Sequence, residues 1–419
     1  MKQVFKIFVG LIPTVIFAQS TLPESFTMPH SNVGYKINMG STGMNNDMLF
    51  KLGLGGYISP TTIAKNEEGM GKLSRVGSIS AWQAEHVFKA PLFNQDKKIM
   101  LRSVGISYNN ASSAVFSTDA WRLLFRGNSP YLGQTLNLDK LNYSQWTSSR
   151  VHASFSLSSK ASRISSHISL KHVSVGLNLI HNYRRARFGN SSLYTDTNAN
   201  YIDTRLQGNY IPGNNQAIQG LGIDLGAKIT IGQYIELNVT GLGIARMTKL
   251  AAYKLNSTEN FTNDYKDVNE LPIRRISQAQ IQRSQLNSGA WINGQRDTVI
   301  KTFVPNKEEI SATRLLPFQL EAQYQSLDKK HIVSAYYMYL NGMRPQLTYQ
   351  HRLLNTPYGH IYSSLSLGGF DTYDLGVQLK IKPKLYTHID IDLRGIEAFI
   401  APTKTHGTYI GLRIKQYWK

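Results

Sequence analysis

Residues 221–231 have the sequence LGIDLGAKITI, in which large apolar residues alternate with small or polar ones. Leucine, isoleucine and alanine occupy one parity, whereas glycine, Asp224, Lys228 and threonine occupy the other. Side chains of a β-strand point alternately to its two faces, so this pattern predicts a strand with one apolar and one polar face. The run is also longer than a strand of a typical globular protein, which has about 5–6 residues.

The same alternation recurs along most of the chain, for example over residues 149–158, 234–245, 372–382 and 385–394. A soluble sandwich would bury the apolar faces, whereas a membrane barrel turns them toward lipid and its polar faces toward the lumen. The long strands, the second face rich in glycine, serine and charge, and the tyrosines at strand ends favour the barrel. We predict an all-β fold, an antiparallel transmembrane β-barrel of about 14 strands, with 12 to 16 allowed.

The first residues predict export from the cytoplasm. Lys2 and Lys6 precede a short apolar run that ends at Phe17 and Ala18, as in a secretory signal peptide. The run is shorter than the roughly 20 residues that a membrane-spanning helix needs. We therefore expect residues 1–18 to be removed, and residues 19–419 to form a single barrel domain in the outer membrane.

The composition excludes several classes of function. The 419 residues include 46 Lys and Arg, 26 Asp and Glu, and no cysteine, which gives a formal net charge of +20. Without cysteine there is no disulfide scaffold, thiolate metal site or cysteine nucleophile. The basic residues are dispersed, which argues against nucleic-acid binding. Arg184, Arg185 and Arg187 form the only tight basic run, and we predict that they contact lipid phosphates at the barrel rim.

Residues 48–58 are predicted to be one of the strands, and two other segments differ from the regular alternation. Thr118 and Asp119 predict the start of a short helix over residues 119–126, which Gly127 and Asn128 would end. Residues 248–313 show no sustained apolar period and predict a long irregular insertion, which could be an outer loop, a cap or a plug in the lumen.

The run from Trp121 to Thr135, WRLLFRGNSPYLGQT, resembles a signature segment of certain Bacteroidota outer-membrane barrels of unknown function. Gly127, Asn128 and Gly133 lie in that signature. The chain is also similar in style to FadL-like transporters and to the PorP/SprF barrels of type IX secretion. The resemblance covers most of the chain in architecture, but only this run in a specific motif. It implies an outer-membrane barrel and does not identify a solute.

Candidate residues for chemistry are few. Asp390, Asp392 and Arg394 share one face of a predicted strand. Paired carboxylates can serve in acid–base catalysis, but in a water-filled barrel we interpret these residues as a ladder of charges on the lumen face. The histidines lack metal-ligand spacing, and no set of glycines matches a nucleotide-binding motif. We therefore predict no catalytic residue, no metal and no cofactor.

The resemblance and the alternation lead us to expect a non-enzymatic, monomeric channel or transporter for a small apolar or anionic solute. Outer-membrane lipid would be its constant partner. A second hypothesis is a scaffold or anchoring barrel for a type IX secretion or surface-adhesin system, with components of that system as partners. A third, an outer-membrane lipid hydrolase, depends only on Asp390, Asp392 and scattered serines.

Overall fold

The computed structural model describes residues 29–88, 99–157, 164–165, 167–197, 201–213, 218–262, 307–384 and 386–418. Its strands form one closed antiparallel barrel of 14 strands, which confirms the predicted fold class. The predicted signal peptide, residues 1–18, lies outside the described residues. The strand segments are β1 His30–Ser41, β2 Leu73–Val87, β3 Ile99–Ser117, β4 Thr135–Asn137, β5 Asn142–Leu157, β6 Ile168–Phe188, β7 Ser192–Thr195, β8 Tyr201–Ile211, β9 Gly220–Ile231, β10 Ile235–Thr262, β11 Lys307–Leu315, β12 Gln319–Gln325, β13 His331–Met338, β14 Gln346–Thr356, β15 Gly359–Gly368, β16 Tyr373–Lys384, β17 Thr387–Arg394 and β18 Gly407–Tyr417.

The 18 strand segments make only 14 strands of the wall, because some segments occupy the same position in the wall. Both β8 and β9 pair with β6 and β10, and both β11 and β12 pair with β10. The short β4 and β7 pair with each other beside the wall. The barrel closes where β18 pairs with β1, from His30 opposite Tyr417 to Gly40 opposite Gly407. This seam joins the first and last strands, so neither presents an open edge.

The two ends of the barrel differ in their connections. We call the end with the short turns 232–234, 326–330 and 357–358 the turn rim, and the described chain begins and stops there. We call the opposite end the loop rim. It carries three helices, which are α1 Asn46–Leu54, α2 Pro60–Gly69 and α3 Thr118–Arg126. No helix in the described part of the chain is long and apolar enough to cross a membrane.

The alternation seen in residues 221–231 separates the outside of the wall from the lumen. Ile223 is 63% exposed on the outer face, whereas Asp224 is 1% exposed on the inner face. A soluble sandwich would bury the isoleucine and expose the aspartate, so the arrangement is that of a membrane barrel. Comparable exposed apolar residues surround the wall, including Val33, Trp82, Ile106, Val151, Leu177, Ile244, Leu320, Leu347, Leu365, Leu375 and Leu412.

The predicted strand at residues 48–58 is wrong, because helix α1 ends within this range at Leu54 and helix α2 begins just after it at Pro60. The side chain of Asn45 accepts a hydrogen bond from the Met48 amide, and Ser59 accepts one from the Thr62 amide. These caps satisfy amides that lack partners at a helix start, and Pro60 suits the first helical turn. Capping therefore outweighs the short alternating pattern.

The predicted helix over 119–126 is confirmed as α3. Ser117 caps it by accepting a 3.1 Å hydrogen bond from the Ala120 amide, and Gly127 ends it with φ of +74°. Trp121 and Phe125 of α3 are buried against α1, α2 and Phe116 of β3. Phe116 has the same parity as the exposed Ile106 of β3, so the three helices cover the outer wall at the loop rim.

The predicted irregular insertion, residues 248–313, is wrong at both of its described ends. Strand β10 continues to Thr262, and β11 begins at Lys307. The pairing of β10 with β11 shifts between Met247 and Leu250, and Lys249 has a positive φ of 54°. Such a bulge inserts one residue and reverses the parity of the apolar positions, which hides the strand from a period-two reading. Residues 263–306 lie outside the described residues.

Candidate functional site in the barrel lumen

Two turns at the loop rim fold into the lumen. We call residues 339–345, between β13 and β14, and residues 369–372, between β15 and β16, the plug. Phe370 is 1% exposed, and it lies with Leu340 and Met343 in an apolar cluster built from lumen-facing residues of the wall. The wall members of this cluster include Ile79, Ala111, Trp146, Ile180, Tyr183, Ala245, Met247, Ala312 and Met338. The lumen next to the loop rim is therefore apolar and filled by side chains.

Hydrogen bonds hold the plug in place. The Asn341 side-chain amide donates a 2.9 Å hydrogen bond to the Asn142 carbonyl, at the loop-rim end of β5 across the lumen. The two plug turns also contact each other, because the Arg344 amide donates to the Gly369 carbonyl at 3.0 Å. The first bond joins the turn after β13 to the opposite wall, and the second joins the two turns to each other.

Three glycines of the wall make room for the plug. A Cβ atom at Gly40 would lie 3.2 Å from the Phe370 Cβ, and one at Gly77 would overlap the Phe370 ring. A Cβ atom at Gly407 would overlap the Asp371 carboxylate. The three glycines belong to β1, β2 and β18, which are neighbours at the barrel seam. We call this recess the glycine notch; no larger residue fits there while the plug is docked.

The carboxyl group of Asp371 is buried in the notch. Burial, and then the neighbouring Asp374 carboxyl, raises the pKa of Asp371 to about 9. Glu397 adds to the increase. A carboxyl with this pKa is protonated at neutral pH, and it shares a hydrogen bond with Asp374. The docked plug therefore holds a proton that an undocked, hydrated aspartate would release.

The predicted charge ladder on β17 lies on the lumen face. Arg394 Nη2 is 2.7 Å from Asp392 Oδ2, and Arg394 Nη1 donates a 3.1 Å hydrogen bond to Thr348 Oγ1 of β14. The Arg394 guanidinium also lies 4.7 Å from the centroid of the Tyr409 ring. The structure thus joins Asp392 and Arg394 in one ion pair, which is a fixed polar group on the lumen wall below the plug.

Asp390 lies further toward the turn rim and is separate from that pair. In the register of the wall it stands opposite Lys380 of β16 and Arg413 of β18. Its position, with basic residues on both neighbouring strands, is that of a counter-charge on the lumen wall. It is not arranged with Asp392 as an acid–base pair, because Asp392 bonds to Arg394.

A second ion pair, which the sequence did not indicate, crosses three wall strands. Arg150 of β5 donates to both carboxylate oxygens of Asp224 in β9, at 2.8 and 2.7 Å. Asn178 of β6 donates a third hydrogen bond of 2.5 Å to the same carboxylate. A Cβ atom at Gly176 would collide with Arg150 and Asp224, so this glycine leaves the space for the pair. Alternation places Asp224 in the lumen, but only the register reveals its partners.

Two polar residues on the outer wall bear on the hydrolase hypothesis. Ser149 Oγ lies 2.7 Å from His181 Nε2, and Ser149 has the parity of the exposed Val151. A Ser–His pair that acts in acyl transfer also needs a third group to orient the imidazole. In the described part of the chain, the second ring nitrogen of His181 has no carboxylate partner.

The three predicted rim arginines do not share one face. Arg185 is opposite the buried Ile211 of β8, and Arg187 has the same parity as Arg185. Arg184 directly precedes Arg185 in the strand and therefore points to the other face of β6. The three arginines are close in sequence but point to two faces of β6. They therefore do not form a single cluster that could bind lipid phosphates.

The three residues of the signature segment, Gly127, Asn128 and Gly133, lie close to α3. Gly127 ends α3, and the Asn128 side-chain amide donates a 3.1 Å hydrogen bond to Thr195 Oγ1. Gly133 has φ of +74°, and its amide donates a 2.7 Å hydrogen bond to the Thr195 carbonyl. These contacts fix the link between α3 and the β4–β7 ribbon. Among the described residues, no group of three or more His, Asp or Glu residues could hold a metal ion.

No protein-family model matches the sequence, and no curated protein matches it either. Solved barrels share its general architecture. The Pseudomonas putida toluene transporter TodX is similar with a TM-score of 0.37 and 8% identity, covering 95% of this chain and 91% of that chain. A Pseudomonas aeruginosa FadL homologue gives a TM-score of 0.36 and 10% identity, with coverage of 94% and 90%. Outer membrane phospholipase A from Escherichia coli gives 0.25 and 11%, with coverage of 92% and 95%.

These similarities are too distant to carry an argument about function. They include FadL-like outer-membrane barrels, in line with one part of the resemblance noted in the sequence. The likeness to Bacteroidota barrels and to PorP/SprF stays a prediction. The proposals below therefore depend on the geometry of this chain alone.

Proposed function

We propose that the protein is an outer-membrane channel that passes a small apolar or anionic solute and is closed at its loop rim by the plug. The observation that carries this proposal is the combination of an apolar outer wall with a lumen closed by two turns. Among the described residues, the side chains of the apolar cluster and the two plug turns fill the lumen at the loop rim, whereas the wall is held by its own strand pairing. Displacing a turn opens a lumen without unfolding the barrel.

Several features support placement in the outer membrane. In bacterial barrels the short turns face the periplasm and the longer loops face outward, so the loop rim would be extracellular. Aromatic pairs at both ends of the apolar wall suit the two lipid interfaces, with Tyr234 near Tyr324 and Phe318 stacked on Tyr339. A secretory signal at residues 1–18 fits this location. The closed wall needs no second copy, and we propose a monomer bound only by lipid.

The lining of the lumen supports the solute class. The half next to the loop rim presents the apolar cluster around Phe370. The half next to the turn rim presents charged residues, among them Lys36, Lys380 and Arg413, beside the aspartates of β17. A solute with an apolar body or a negative charge finds complementary groups on this path, whereas a cation meets surplus positive charge.

The scaffold and hydrolase hypotheses have less support. The three helices pack on the wall of this chain, and the Ser149–His181 pair lacks an orienting group in the described residues. We propose that the protein is not an enzyme. Unchanged lipid composition after deletion of the protein is expected, whereas accumulation of an intact lipid substrate would contradict this part of the proposal.

Ion conductance in planar lipid bilayers tests the channel proposal. We expect brief, infrequent openings in the wild-type protein and a higher open fraction when the plug is destabilised. Uptake of benzoate and of toluene into liposomes then separates anionic from apolar solutes. A folded barrel that neither conducts nor admits either solute, with the plug destabilised, would overturn the proposal.

A further inference from the structure

Two cations on the lumen wall lie next to each other, and each faces a glycine. Lys36 of β1 is opposite Gly411 of β18, and Arg413 of β18 is opposite Gly34 of β1. The cations therefore occupy diagonal positions on neighbouring strands and share one face. A Cβ atom at Gly411 would lie 2.9 Å from the Tyr409 hydroxyl, and one at Gly34 would lie 3.6 Å from Gln83 Cγ, so the side chains of Tyr409 and Gln83 pack over the two glycines beside the charged groups.

Part of this charged surface is accessible from the lumen. Arg413 is exposed although its parity points inward, away from the apolar Leu412 and Ile414 on the outer face. Glu321, on the opposite wall in β12, is also exposed and shares the inward face of Tyr336. Arg413 and Glu321 are therefore charged groups in contact with solvent in this part of the lumen, below the plug.

Among the residues that the structure describes, neither cation has an ion-pair partner. Within the described residues, no carboxylate oxygen lies within 4.0 Å of Lys36 or of Arg413. Glu321 is the carboxylate that acts electrostatically on Lys36, whereas Arg394 and Arg413 add positive charge around it. Asp390 stands opposite Arg413 in the register but makes no close contact with it.

A hydroxyl group from the opposite wall completes the surroundings. The Lys36 ammonium lies 5.5 Å from the centroid of the Tyr336 ring, so the side chains of β1 and β13 meet across the lumen. The Tyr336 hydroxyl is buried and has no hydrogen-bond partner in the described part of the chain. A buried polar group without a partner is costly, which points to a group that the site is built to receive.

We propose that Lys36, Arg413 and Tyr336 bind the oxyanion group of a small solute, either a carboxylate or a phosphate. The planar guanidinium of Arg413 offers paired donors to two oxygens, Lys36 supplies a compact positive charge, and the Tyr336 hydroxyl donates a further hydrogen bond. The proposal rests on the proposed channel function and assigns the anionic part of its solute class to one site.

The structure also predicts which neighbour opposes binding. Glu321 lies close enough to influence Lys36, and a bound anion would be repelled by its carboxylate. Neutralising Glu321 should therefore strengthen anion binding, whereas neutralising either cation should weaken it. A purely structural role for these residues would not produce opposite signs from changes at opposite charges.

Isothermal titration of the full-length barrel in a non-ionic detergent tests the site. The probes are inorganic phosphate and benzoate, each compared with chloride at constant ionic strength. We expect Lys36→Met and Arg413→Met each to weaken binding by roughly tenfold or more, since each removes a charge-assisted contact. Glu321→Gln should tighten binding several-fold. Lys404→Met, the same change of charge in the exposed loop 395–406, should leave binding unaltered.

Each result is decisive because folding is checked separately, by the heat-dependent electrophoretic mobility of the barrel. Binding of phosphate alone or of benzoate alone supports the site and identifies its ligand chemistry. Absence of binding for both probes, or binding unchanged in folded Lys36→Met and Arg413→Met, overturns it. The titration needs no transport, so a barrel that binds but does not conduct contradicts the channel and leaves the site standing.

Discussion

Phe370→Ala should open the loop rim. The ring is 1% exposed and lies in the glycine notch, where it contacts the wall at Gly77. Truncating a buried phenylalanine to alanine costs about 3–5 kcal/mol. Here the loss falls on the docking of one turn, because the ring belongs to the turn and the wall keeps its own hydrogen-bond ladder.

That free energy can be expressed as a change in population. Each 1.4 kcal/mol changes an equilibrium about tenfold, so the ratio of docked to undocked plug should fall by roughly a hundredfold to a few thousandfold. Single-channel recording in planar bilayers measures this ratio as the open fraction at fixed voltage. Unfolding in denaturant should change much less than the open fraction, since the barrel wall is untouched.

Tyr373→Ala is the matched control for this experiment. It also removes an aromatic ring, three residues further on, but Tyr373 is 50% exposed on the outer face of β16. The control should conduct like the wild type. If folded Phe370→Ala, Tyr373→Ala and wild-type barrels show the same open fraction, the turn does not close the lumen and the reasoning is refuted.

Further changes test other parts of the account. The pKa of Asp371 is raised from 3.8 to about 9 in the docked plug, so docking is most stable below about pH 4 and weakens as pH rises through 9. Conductance should therefore rise with pH over this range, and Asp371→Asn should flatten that dependence in the same recordings. Arg150→Met leaves the Asp224 charge buried with Asn178 as its remaining partner, and should cost about 3–5 kcal/mol of stability in denaturant unfolding; a loss below 1 kcal/mol would contradict the importance of this pair. Gly127→Ala places a Cβ at φ of +74°, and should cost about 1 kcal/mol in the same assay.

Much of the wall could be predicted from the sequence, because every wall residue faces either lipid or lumen. The runs 372–382 and 385–394 became β16 Tyr373–Lys384 and β17 Thr387–Arg394. From Leu375 to Ile381 and from Ile389 to Leu393, leucine, isoleucine and valine occupy every second position. A strict two-residue period is then sufficient to assign both the strand and its faces.

The wall was mispredicted where the local backbone departs from that period. At residues 48–58 the strand was mispredicted because the side chains of Asn45 and Ser59 cap helices α1 and α2. After Met247 the bulge shifts the parity, so that a real strand resembles an irregular segment. Neither effect is visible in apolar periodicity, since both depend on hydrogen bonds of the backbone.

The lumen was harder to predict than the wall. Alternation assigns Lys36 and Arg413 to the inner face, but only the register of β1 with β18 shows that each faces a glycine. The glycine notch likewise combines positions from three strands with a turn more than 290 residues from Gly77 in sequence. Contacts across a closed barrel depend on strand number and register together, and a single sequence specifies neither.

The central claim is that movement of the plug opens a continuous lumen, and a reversible lock tests it most directly. The chain has no cysteine, so Asn142→Cys with Asn341→Cys creates a single possible disulfide where these residues already touch. In the Phe370→Ala background, bilayer conductance should fall when the pair is oxidised and return when it is reduced. Equal conductance in the two states, or none in either, would contradict the account.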